Sequence, residues 1–157
     1  METIKIGDKA PTFTCEDQDG QKISLEDFKG KKVILYFYPK DSTPGCTAEA
    51  CNLRDNYGLL MKKGFAILGV SADDEKSHKN FSQKNMLPFS LLVDKEKKII
   101  QSYGVWGKKK MYGKEYDGIL RKTFIISEAG IVEKIFEKVE TKNHTGQILK
   151  EMGMSEK

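Results

Sequence analysis

One stretch of this chain carries residue types and spacing that point to thiol chemistry: Tyr38-Pro39-Lys40-Asp41-Ser42-Thr43-Pro44-Gly45-Cys46-Thr47-Ala48-Glu49-Ala50-Cys51. It leaves an apolar run and enters a segment of helix-forming composition. Thr43 followed by Pro44 reads as an N-cap with proline at the first helical position. Cys46 then falls in the first turn, where free amides and the positive end of the helix dipole favour a thiolate. Cys46 is the candidate nucleophile. The chain has two arginines. Arg54 lies within the helix and reads as an exposed or capping charge. Arg121 lies two residues before an apolar run, Thr123 to Ile126, and is the candidate fixed cation. Glu49 follows Cys46 by three and shares its helix face. Alone it would disfavour a thiolate; paired with Arg121 it would hold that cation in place.

Ionisation by itself explains little. A thiol of pKa ~8.5 is about 3% ionised at pH 7 and one of pKa ~6 about 90%, roughly a 30-fold gain. Nucleophilicity falls about tenfold over the same interval, leaving a net gain of roughly threefold. Larger acceleration needs donors aimed at the leaving atom: the Thr43 hydroxyl, first-turn amides and Arg121. Five residues of ideal helix put the Cα atoms of Cys46 and Cys51 roughly 8.7 Å apart, on opposed sides. A disulfide wants them within ~7 Å, so any bond between the two requires the helix start to unravel. Cys15, in an expected strand Thr12 to Glu16 without a capping signal, reads as a small buried side chain.

The elements that must position these residues follow from periodicity. Val33 to Tyr38 is continuously apolar, β-branched and aromatic, the pattern of a strand buried on both faces. Phe65 to Val70 is a second such strand, and Thr47 to Lys63 between them reads as a helix. The crossover implies parallel pairing. A helix over Asp74 to Asn85, a short strand Ser90 to Val93 and a helical turn around Glu96 to Tyr103 follow. Thr123 to Ile126 and Ile131 to Phe136 flank Glu128-Ala129-Gly130 as an antiparallel hairpin. His144 to Met152 closes the chain as a helix. The expectation is an α/β, thioredoxin-like fold with a mixed central sheet flanked by helices.

At 157 residues, 38% of them hydrophobic, the chain is read as a single domain, 1–157. A net charge of +4 with both signs mixed argues against nucleic acid. The longest apolar run has six residues, too short for a membrane span. Met1 to Lys5 shows no leader pattern, and three cysteines fit a reducing compartment, so a cytoplasmic location is expected. Lys108-Lys109-Lys110 between glycines reads as an exposed loop, and Trp106 as an anchor of that loop. His78 and His144 read as surface or capping residues, and no Cys/His spacing builds a metal site. Met61, Met86 and Met111 read as packing.

Pro39-x-x-x-Thr43-x-x-Cys46 resembles the active-site signature of peroxiredoxins. The extended run from Tyr36 to Cys51 is similar to the bacterioferritin comigratory protein (peroxiredoxin Q) subfamily. Similarity continues through Gly7 to Phe13, Gly104-Val105-Trp106-Gly107, Gly113 to Gly118 and Arg121-x-x-Phe124. The resemblance implies a thioredoxin-fold thiol peroxidase, without metal, haem or flavin. It makes Cys46 the peroxidatic cysteine, attacking the O–O bond of hydrogen peroxide or an organic hydroperoxide. Pro39 would shield the site, and Thr43 and Arg121 would bind peroxide oxygens. Cys51, at the resolving position, would form a disulfide with Cys46 after local unfolding, and a thioredoxin-like dithiol would recycle the enzyme. A monomer or weak homodimer is expected. The residues also leave open a protein thiol–disulfide oxidoreductase, against which the five-residue spacing and Thr43 argue, and a redox sensor using the same oxidation of Cys46. Turnover separates these readings.

Overall fold

The structure, a computed structural model, describes residues 4–157. Residues 1–3, part of the stretch read for a leader, and the Met111 side chain lie outside the described residues. The chain opens with a small antiparallel pair, β1 (Thr14–Glu16) and β2 (Lys22–Ser24), and a 3-10 turn at Leu25–Phe28. Then come β3 (Lys32–Phe37), α1 (Pro44–Asp55), α2 (Tyr57–Lys62), β4 (Phe65–Ser71), α3 (Glu75–Lys84), β5 (Ser90–Val93) and α4 (Lys98–Ser102). A hairpin, β6 (Trp106–Met111) and β7 (Lys114–Ile119), precedes β8 (Lys122–Ile126), β9 (Val132–Phe136) and α5 (His144–Glu151).

The central sheet has the order β5-β4-β3-β8-β9. β3, β4 and β5 run parallel, while β8 and β9 are antiparallel additions, so the sheet is mixed as the element order implied. β3 occupies the middle because its side chains are apolar on both faces. Ile34, Tyr36 and Tyr38 join the core beneath α1, α2, α3 and α5. Val33, Leu35 and Phe37 join the core on the opposite face, with Ile99, Ile100, Tyr103 and Phe124. This is the period-two alternation of a strand covered on both sides. Gly69 on β4 faces Tyr36 in register, and an added Cβ would lie 2.8 Å from the tyrosine ring. Glycine there lets the Tyr36 ring lie across the neighbouring strand.

Three expectations are corrected. The helix expected over Thr47 to Lys63 starts earlier and is broken into α1 and α2 at Asn56, whose side-chain amide donates to the Asn52 carbonyl at 2.8 Å. That is the local side chain–backbone bond by which asparagine competes with helix. Lys108 to Lys110 is not a loop but part of β6, and Trp106 opens that strand. The two-residue turn Tyr112-Gly113 has both φ angles positive (54° and 77°), the conformation that matches a hairpin's twist. Lysines without apolar alternation concealed it. Met61 and Met86 are not packed inside: they are 48% and 76% exposed. No described helix is long and apolar enough to cross a membrane.

Candidate active site

The site is built at the carboxyl end of β3, where a crossover loop turns into α1. Tyr38, the residue after the strand, is fully buried, half-buried Pro39 follows it into the loop, and Ser42 takes a left-handed conformation at φ 62°. Thr43 is the N-cap in extended backbone, with Pro44 at the first helical position. Its hydroxyl does not cap the helix, however; it donates to the Lys40 carbonyl at 2.8 Å and ties the loop to itself. Cys46 is buried in the first turn of α1.

Arg121 reaches this thiol from the residue before β8. The antiparallel register of β8 on β3, with Lys122 opposite Phe37, brings the guanidinium to the helix start. Arg121 Nη2 donates to Cys46 Sγ at 3.3 Å and Nη1 donates to Glu49 Oε1 at 2.7 Å. Gly45 gives the guanidinium room, because an added Cβ would stand a tight 3.2 Å from Nη2. Cys46, Glu49 and Arg121 thus form one array. Glu49 is completely buried, and burial pushes its carboxyl up to about 7 against the opposing pull of Arg121. Its second oxygen, Oε2, has no hydrogen-bond partner among the described residues and lies 3.7 Å from His144 Nε2.

That contact is not an ion pair at neutral pH. Burial lowers the His144 pKa to about 4, with Arg121 also lowering it against Gln147. Gln147 Oε1 accepts from the Glu140 amide and faces His144 Nδ1 at 2.9 Å, so Nδ1 carries the hydrogen. Nε2 is then an acceptor, and the Thr123 hydroxyl donates to it at 2.8 Å. Cys51 stands apart from this array. It is half-buried on α1, with Sγ 3.6 Å from Asn85 Oδ1 at the end of α3, and all three cysteines are free thiols.

The AhpC/TSA family profile matches residues 6–135. A Bcp-type protein of Coxiella burnetii is 48% identical over 94% of this chain and 97% of its own length. Peroxiredoxin Bcp of Escherichia coli is 45% identical over 95% and 96% of the two chains. The chain belongs to the AhpC/TSA family: it is a Bcp/peroxiredoxin Q-type peroxiredoxin. Among solved structures, Xanthomonas campestris bacterioferritin comigratory protein superposes with a TM-score of 0.83 at 36% identity, covering 90% of each chain. The fold is therefore the thioredoxin fold of the peroxiredoxins, and the enzyme is a thiol peroxidase with a peroxide substrate and a thiol reductant.

Within this peroxiredoxin, the sequence reading missed several residues near the site. His78 and His144 are not surface groups: both are completely buried and hydrogen-bonded at both ring nitrogens. Lys109, expected in an exposed loop, is half-buried and donates to the Ile119 carbonyl at 3.0 Å. Burial and the Arg121 charge lower its ammonium pKa, with Cys46 opposing them. Arg54 bonds the Asn85 carbonyl at 2.8 Å, capping the neighbouring α3. Cys15 donates to the Val93 carbonyl at 3.2 Å, and burial, with Asp94, pushes its thiol up to about 11, as befits a structural cysteine. Among the described residues, Asp41, Asp73 and His78 form the one group with metal-ligand spacing, their ligand atoms within 4.8 Å. Protein hydrogen bonds already engage Asp41 and both His78 nitrogens.

Proposed function

We propose that this peroxiredoxin reduces hydrogen peroxide and organic hydroperoxides by a cycle run on Cys46 and Cys51. The Cys46 thiolate attacks one oxygen of ROOH; an S–O bond forms as the O–O bond breaks. Cys46 leaves this step as a sulfenic acid, and the departing RO⁻ takes a proton to become ROH. Peroxide gains two electrons and sulfur loses them. The Cys51 thiolate then attacks the Cys46 sulfur, an S–S bond forms, and the sulfenic oxygen departs as water. A thioredoxin-like dithiol reduces the disulfide and restores both thiols.

The observation that carries this reading is the Arg121 guanidinium, donating to Cys46 Sγ at 3.3 Å while Glu49 holds its other arm at 2.7 Å. A cation fixed beside the sulfur is also beside the oxygen that approaches it, and it stabilises charge that develops as the O–O bond opens. Thr43 donates its hydroxyl hydrogen to the Lys40 carbonyl, which leaves its oxygen lone pairs to accept a hydrogen bond from the ROOH hydroxyl. Half-buried Pro39 stands four residues before Thr43 in the same loop, and its role in this reading is to shield the site from solvent. The solved Xanthomonas campestris relative is described in terms of alkyl peroxide reduction, which supports organic hydroperoxides as substrates here.

The reading takes residues 1–157 as one cytoplasmic domain, monomeric or a weak homodimer, without nucleic-acid or membrane partners. Peroxide consumption coupled to a dithiol reductant tests it. Cys46→Ser should consume no peroxide, and Cys51→Ser should still accumulate a trappable sulfenic acid. Full cycling by Cys46→Ser would overturn the assignment.

A further inference from the structure

A second buried polar array lies beneath the same loop, and the chemistry at Cys46 does not account for it. Tyr38 Oη donates to Asp41 Oδ1 at 2.6 Å, and Ser77 Oγ donates to Oδ2 at 2.9 Å. His78 Nδ1 lies 2.6 Å from the same Oδ2. The Asp41 amide donates to Asp73 Oδ2 at 2.8 Å, and Ser71 Oγ donates to that oxygen at the same distance. Tyr38, Asp41 and His78 are all buried. Fully satisfied networks of this kind fix one conformation, and partial ones are costly.

The protons in this array can be placed from donor and acceptor roles. His78 Nε2 faces the Leu92 carbonyl at 2.8 Å; a carbonyl only accepts, so Nε2 carries a hydrogen. Nδ1 faces a carboxylate. A neutral imidazole has one N–H, so the array holds one further proton between Nδ1 and Oδ2. Burial pulls the His78 pKa down, but Asp41, the Leu92 carbonyl and Asp73 outweigh it and raise the value above that of an ordinary histidine. Asp41 comes from the loop after β3, Asp73 from the loop after β4, and β5 presents the Leu92 carbonyl. The Tyr38 phenol stays neutral because burial, with Tyr36 and Asp41, raises its pKa well above the usual value.

Asp41 sits between the two features that shape the catalytic loop. Lys40 before it accepts the Thr43 hydroxyl, and Ser42 after it holds φ at 62°, a conformation a serine adopts only when its surroundings impose it. We propose that His78 is a positioning residue of the peroxide reaction: by donating to Asp41 it holds the loop from Pro39 to Thr43 in the shape that sets Thr43 at the helix start and Cys46 against Arg121. This rests on the peroxidase reading above. As pH rises through the raised His78 value, the second proton leaves and an Nδ1 lone pair opposes the Asp41 carboxylate. The clamp is complete below the ordinary histidine value and is lost on the alkaline side.

The test is the rate of single-turnover peroxide reaction against pH for the wild type, His78→Ala and Asp41→Asn, with amide exchange over residues 40–43. In Asp41→Asn the side-chain amide donates to His78 Nδ1 and to Ser77, and its oxygen still accepts from Tyr38, so the array closes without the extra proton. The wild-type rate is expected to fall again on the alkaline side, and the fall to be absent in Asp41→Asn. His78→Ala is expected to react about tenfold more slowly or worse, a barrier increase of ~1.4 kcal/mol, with faster exchange of the loop amides. Superimposable pH profiles for wild type and Asp41→Asn overturn the proposal, as does a folded His78→Ala with wild-type rate and protection. If His78→Ala does not fold, Asp41→Asn decides. If the wild type does not react with peroxide, the peroxidase reading fails instead. Loop protection relative to intrinsic base-catalysed exchange then tests the clamp alone: an alkaline loss of protection in wild type but not in Asp41→Asn supports it, and the same loss in both overturns it.

Discussion

Arg121 meets Cys46 through one nitrogen and Glu49 through another, and this division of its donors defines the site's geometry. A lysine carries the same charge but cannot hold both partners in a planar fork. Arg121→Lys is expected to slow the reaction with peroxide on the order of 100-fold, the usual cost of losing a preorganised donor. Stopped-flow intrinsic fluorescence would follow it, and a rate within about twofold of wild type would mean that charge alone suffices. Tyr36 makes the opposite case. Its hydroxyl is buried without a hydrogen-bond partner among the described residues, so removing it discards an unpaid desolvation cost. Tyr36→Phe is expected to leave stability unchanged or raise it by up to about 1 kcal/mol. A loss of more than about 1 kcal/mol in denaturant unfolding would show that the hydroxyl is satisfied in solution.

Among the elements, α1 must change most during the proposed cycle, and its two halves are held differently. The far half is latched: the Thr145 amide donates to Asn52 Oδ1 at 2.8 Å, Asn52 Nδ2 donates to the Lys142 carbonyl at 3.2 Å, and Arg54 binds the end of α3. The near half carries buried Cys46 and Glu49 and is held by Arg121, a hold that must be released for it to unwind from Pro44. Asn52→Ala loosens the latch, and with it the position of Cys51. The expected result is disulfide formation faster by roughly fivefold to 30-fold, the equivalent of 1–2 kcal/mol, with less sulfinic acid at high peroxide. Unchanged resolution and unchanged overoxidation would mean that the latch does not control the opening. These elements were legible to different degrees. β3, β5, α3 and the closing helix could be read because apolar spacing and helix-forming composition announce them, and Cys46 because Thr43-Pro44 marks a helix start. His78 and His144 could not, since a histidine's burial depends on partners such as Asp41 and Thr123, which come from other elements. The β6–β7 hairpin was hidden by its lysines, and the turned-away Thr43 hydroxyl by a loop conformation that no spacing encodes.

For the molecule as a whole, Glu49 and His144 set opposed responses to pH. Glu49 is raised by burial from 4.5 to about 7, so the folded state holds its proton longer and stability falls as pH rises across that interval. His144 is lowered by burial from 6.5 to about 4, so the folded state binds fewer protons there and stability rises with pH over that interval. Each effect is on the order of 3 kcal/mol and they run against each other, so wild-type stability is expected to be nearly flat between about pH 4.5 and 6.5. Glu49→Gln should expose a stability that climbs with pH over this range, and His144→Gln one that falls. Chemical unfolding at several pH values checks both, and parallel curves for all three proteins would contradict the assignment. The central claim, that Cys46 and Cys51 act together on peroxide, is tested most directly by one turnover of the fully reduced protein with hydrogen peroxide, followed by intact mass. The account predicts a rapid loss of about 2 Da that requires both cysteines. Slow oxidation at the rate of an ordinary free thiol, or a loss of mass that survives removal of Cys51, would contradict it.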